Sequence, residues 1–207
     1  MLVEEITVDH SLLARAGTIL FPERRTVSDL YNAAPISYAE AFPEVPLPDD
    51  PLSPSILAAR WLSHALYGED MPAVAADLLE RGLDSPSLRR LAGEMNVTHS
   101  GDVKPLVAAA LRELGGTWPL SERDAKLIAS RQVAREVIHG KRNPWQAASH
   151  LETVIWSWGM DAPDLAAIGG ISDEVNWDAP HRRPLDKLES DLLRSFAKLA
   201  VIQIPGA

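Results

Sequence analysis

From Ser53 to Gly116 the apolar residues recur at three- and four-residue intervals, and most runs open on a capping residue or a proline and close on a glycine. That period lays them along one face of a helix, so the pattern predicts a succession of amphipathic helices. Ile56, Leu57, Trp61, Leu62, Ala65 and Leu66 follow Ser53 and Pro54 and stop at Gly68. Val74, Leu78 and Leu79 follow Asp70 and Pro72 and stop at Gly82, and Leu88, Leu91 and Ala92 follow Ser85 and Pro86 to about Met95. A cap with a first-turn proline at one end and glycine at the other is the expected helix punctuation. After a polar loop over 96–102, Leu106, Val107, Ala110, Leu111 and Leu114 predict another helix, ended by Gly115 and Gly116.

The sharpest pattern follows. Ser121 and Asp124 cap a run through Leu127, Ile128, Ala134, Val137 and Ile138 to Gly140, and Asn143, Pro144 and Gln146 open a second run to Trp158. So short a connection predicts an αα-hairpin over 121–158, with the two helices packed antiparallel. Glycine followed four residues later by proline occurs at both Gly82/Pro86 and Gly140/Pro144, one turn chemistry used twice. A last helix is predicted from Pro184 through Leu188, Leu192, Phe196 and Leu199, with an apolar tail at Val201, Ile202 and Ile204.

The two ends of the front segment differ in character. Val3, Ile6 and Val8 alternate weakly, Asp9 can cap a helix carrying Leu12, Leu13 and Ile19, and Thr26 with Asp29 forms an acidic variant of the capping box. Between 35 and 54 stand six prolines with Glu40, Glu44, Asp49 and Asp50 and no cation. Proline fixes φ and removes a backbone donor, so this segment is extended or turn-like. Phe42, Val45 and Leu47, interleaved with the prolines, make it an arm that packs rather than a solvated linker. The expected fold is therefore all-α: one domain over 1–207 of about seven to nine helices, with N-terminal helices over 1–34, a proline-rich acidic arm over 35–54 and a helical core over 55–207.

Composition narrows the function. The 207 residues contain no cysteine, which excludes disulfides, a thiolate nucleophile and cysteine-bearing metal sites. The net charge is -9, and residues 1–100 hold 15 Asp and Glu against 7 Lys and Arg. Such a surface repels a polyanion and suits a basic protein partner, so nucleic acid is not expected as a ligand. No run approaches the ~20 apolar residues of a membrane span, and Glu4 and Glu5 stand where a signal peptide carries cations, which points to a cytoplasmic protein without membrane attachment.

Candidate chemistry is sparse. Glu136 and His139 have the i, i+3 spacing of a carboxylate-bridged di-metal bundle, but a second such pair is missing, so no metal and no cofactor is expected. His139 at a helix end reads as a partner of backbone carbonyls, and His64 and His150, each beside apolar neighbours, read as hydrogen-bonded helix residues before they read as bases. Neither a nucleophile elbow nor a phosphate loop is present. Aromatics stand out more: Trp145 and Trp156 share a second face of one helix, Trp177 follows, and the stretch 161–178 reads as a covering flap whose acids Asp173 and Glu174 meet water or a basic surface. Two functions follow. The first is a non-enzymatic bacterial binding protein, immunity- or antitoxin-like, that inhibits or escorts a protein partner through Glu44, Asp49, Asp50, Trp145, Trp156, Asp173, Glu174 and Trp177. The second is a helical enzyme or small-molecule binder with a site between helices drawn from His64, Glu136, His139 and His150.

Overall fold

The computed structural model describes residues 26–158, 163–176 and 183–204, with backbone alone over 153–158. The expectations for residues 1–25, for Trp177 and for the Trp156 side chain lie outside the described residues. Those residues form α1 (Val27–Asn32), α2 (Pro54–Leu62), α3 (Met71–Glu80), α4 (Pro86–Ala92), α5 (Ser100–Glu113), α6 (Glu122–Ile138), α7 (Pro144–Trp158), α8 (Pro163–Asn176) and α9 (Leu185–Ala200), with a 3₁₀ turn at Gly68–Asp70. The protein is an all-α array, and the only strand-like pairing among the described residues is an isolated bridge between Ser37 and His139.

The chain divides into two compact units, one from residues 1–48 and 130–202, the other from 49–129 and 203–207. In the second, α4 packs against both α3 and α5. Their inner faces carry Met71, Leu78, Leu88, Leu91, Val107 and Leu111, joined by Leu57 and Trp61 of α2 in one apolar cluster. All but Met71 are residues whose spacing predicted the helices, because burying an apolar stripe is what holds a short helix in place. Ser85 caps α4 by accepting from Leu88 N at 3.2 Å. The run after Ser53 ends earlier than its apolar spacing suggests: α2 stops at Leu62, His64 takes φ +56°, and Leu66 is buried beyond the turn.

In the first unit α7 packs on α8 and α8 on α9. Leu151, Leu165, Ile168, Leu188, Leu192 and Phe196 are fully buried there. The stretch expected as a flap is thus a 14-residue helix over most of its length, with Leu165, Ile168, Ile171 and Val175 at its buried face. The flap reading missed a helical period because Gly169 and Gly170 interrupt it.

The pair at 121–158 forms two helices with a break at residues 139–143, and Ile138 and Leu151 are buried. α7 also packs along α8. Gly140 adopts φ +70°, and a Cβ there would stand 2.7 Å from Ser37 N, so the root of the arm runs directly over the break. Asn143, 3% exposed, ties the start of α7 to the end of α1.

Candidate functional site

The arm is ordered by three devices, all within the first unit. Tyr38 N donates to Ile138 O at 2.8 Å, fastening the arm's root to the end of α6. Phe42 and Val45 are buried, at 0% and 5% exposure. His139 closes the clamp: its Nε2 lies 3.2 Å from Val45 O and 3.0 Å from Pro46 O. Carbonyls only accept, so Nε2 carries the proton and donates to both. His139 therefore serves backbone carbonyls, as its place at a helix end suggests, but those of the arm rather than of its own helix.

Beyond this clamp Leu47 is 73% exposed, against the expectation that it packs. Pro46 and Pro48 flank it and fix φ on each side, and along this stretch Phe42 and Val45 are buried while Leu47 faces water. Glu44 is exposed on the same stretch. The candidate acids Asp49 and Asp50 sit in the second unit. Asp50 is no free recognition acid: it accepts from Leu52 N at 3.0 Å and pairs with Arg81 at 3.0 Å, and these contacts hold its carboxyl below the usual carboxylate range. Asp49 is half-buried and engaged as well.

The remaining candidates are dispersed. Trp145 is 1% exposed and belongs to the core, so it offers no surface to a partner. Asp173 is half-buried on α8. Glu174 does meet a basic group: Arg183 donates to its carboxylate from Nε at 3.0 Å and Nη2 at 2.7 Å, and the Nη1 of Arg183 reaches Asp191 at 2.7 Å. That pairing raises the Arg183 pKa, chiefly through Glu174.

The four residues considered for catalysis do not converge. His64 is an exposed residue in a left-handed turn of the second unit, not a helix residue. Glu136 pairs with Arg142 at 3.0 Å and His139 is committed to the arm. His150, on the surface of α7, has its pKa lowered by desolvation and then by the Arg142 charge, which favours the neutral ring. Arg142 thus relates Glu136 to His150, a link that their spacing alone does not reveal because it passes through the turn between α6 and α7. Among the described residues no three His, Asp or Glu side chains are grouped so as to hold a metal ion. Nor is any described helix long and apolar enough to cross a membrane.

No family model matches the chain, and neither a curated protein nor a solved structure does.

Proposed function

We propose that this is a non-enzymatic binding protein that inhibits or escorts a protein partner, in the immunity- or antitoxin-like sense, and that residues 43–47 are its recognition element. The observation that carries the reading is Leu47, 73% exposed on a segment whose neighbours Phe42 and Val45 are core and whose carbonyls are held by His139. A large apolar side chain in water on a braced backbone loses little conformational freedom on binding, which is how a rigid loop gains affinity. An apolar centre with a polar, solvent-accessible rim is the usual arrangement of an interface. Glu44, exposed on the same segment, and the net charge of -9 suit a basic partner surface, to which association falls as salt rises.

The test is capture by the full chain and by Leu47→Asp and Glu44→Lys, followed by binding measurements on the purified captured protein. A partner lost with Leu47→Asp, and bound with a slower, less salt-sensitive on-rate by Glu44→Lys, supports the reading. A partner that binds both variants as well as the natural chain removes the arm from the interface.

A further inference from the structure

Residues 45–48 read Val-Pro-Leu-Pro, and that alternation restricts every residue of the stretch. Each proline fixes its own φ near about −65° and bars the residue before it from the α region, so Val45 and Leu47 are held extended. Four successive residues are thus confined to extended or polyproline II backbone, and neither turn nor helix interrupts 46–48. The polyproline II helix has three residues per turn. Burial follows that period: Val45 is 5% exposed and Pro48, three residues on, is half-buried, while Pro46 and Leu47 between them face water.

The backbone here has little left to offer a partner. Pro46 and Pro48 carry no N–H, and Val45 N donates to Phe42 O at 3.1 Å. The carbonyls of Val45 and Pro46 both accept from His139 Nε2. A strand laid alongside would find only the N–H of Leu47 and could build no ladder, which excludes recognition by strand addition. Docking as a helix is excluded as well, because the prolines forbid one. What remains is recognition through side chains on a backbone already in shape. The Pro46 ring and the Leu47 side chain are adjacent, exposed and apolar, and they call for flat apolar walls. Aromatic faces supply such walls, and proline-rich segments are read in aromatic-lined grooves.

We infer that the protein partner takes Pro46 and Leu47 into a groove lined by aromatic side chains and bordered by a cation. The inference rests on the reading of residues 43–47 as a recognition element and names the chemistry of the surface that receives it. The cation follows from the flank: Glu40 and Glu44 are exposed, and no Lys or Arg stands between residues 26 and 59. An acidic groove would meet only like charge there. Because the prolines and His139 already hold the segment in one shape, little conformational freedom is lost when the groove closes on it, so two exposed side chains suffice for a weak, specific contact.

The experiment immobilises the full chain and passes over it an extract of the cell that makes it, with an oligoproline peptide as competitor, a probe that has the polyproline II shape and no charged side chain. The expected result is a retained protein that excess oligoproline displaces, that Leu47→Asp binds roughly tenfold or more weakly, and that Pro46→Ala binds roughly threefold to tenfold more weakly. Pro46 is exposed, and alanine keeps the carbonyl that His139 holds, so the Tm of Pro46→Ala is expected to stay near that of the natural chain. Loss of binding at that Tm reports the missing ring and not the fold. Retention that needs Leu47 but survives either Pro46→Ala or excess oligoproline overturns the inference and leaves the function proposed above standing. An extract from which nothing is retained in a Leu47-dependent way overturns both.

Discussion

The Asn143 side chain donates from Nδ2 to Leu30 O at 2.9 Å across 113 residues of sequence, and the same nitrogen reaches Ala33 O at 2.9 Å. Its Oδ1 meanwhile accepts from Trp145 N at 2.8 Å and Gln146 N at 3.1 Å, so one buried amide caps α7 and closes the end of α1. Asn143→Ala is expected to cost about 2–4 kcal/mol, a helix cap plus buried carbonyls left unpaired. Asn143→Asp keeps the cap but sets a carboxylate against two carbonyls, so it too is expected to destabilise. Urea unfolding of the two variants checks this, and an Asp variant as stable as the natural chain would show that the cap alone matters.

Gly82 and Gly140 both end helices at positive φ, +83° and +70°, yet their surroundings differ. Among the described residues a Cβ at Gly82 meets nothing within 4 Å, whereas one at Gly140 stands 2.7 Å from Ser37 N and 2.9 Å from Ile36 C. Gly82→Ala is expected to lose only backbone strain, about 1 kcal/mol. Gly140→Ala must also push the arm's root off the turn, so its loss is expected to be at least twice as large. Equal losses would mean that the arm yields without resistance.

These two glycines mark the border of what the sequence makes legible. Both Gly/Pro punctuations correspond to real turns, and the apolar periods of α3, α4, α5 and α9 match their buried faces, because caps and amphipathic stripes are local chemistry. What lies over the Gly140 turn is a matter of long-range packing: nothing around residue 140 tells that Ser37 will cross it. The arm shows the same division. Its prolines made an extended packed segment legible, and Phe42 and Val45 are indeed core. That Leu47 faces water is set by how the arm packs as a whole, and that Asp50 is paired depends on Arg81, 31 residues away.

His150 gives a pH dependence whose sign is fixed. Desolvation, helped by Arg142, lowers its pKa in the folded chain below the ordinary value near 6.5. The unfolded chain then binds the proton more readily, so stability is constant above the unfolded pKa and declines as the pH falls from about 6.5 toward the folded value. His150→Gln is expected to flatten that limb of a Tm-against-pH curve while leaving the curve above pH 7 unchanged. A limb of equal slope in the variant would place the responsible proton elsewhere.

Arg183 joins α8 to α9 by holding Glu174 with two nitrogens and Asp191 with a third, and Arg194 continues the chain to the other oxygen of Asp191. The groups are half-buried, so solvent screens each contact, and a single pair of this kind contributes under about 1 kcal/mol. The geometry matters more than the charge, because a planar fork satisfies both carboxylates at once where an ammonium meets one at a time. Arg183→Lys is therefore expected to recover little of the roughly 1–2 kcal/mol lost in Arg183→Ala. A double-mutant cycle with Glu174→Gln should return a coupling that is large for arginine and small for lysine. If lysine couples as strongly as arginine, the network is held by net charge alone, and the fork of Arg183 has no special role in fixing α8 against α9.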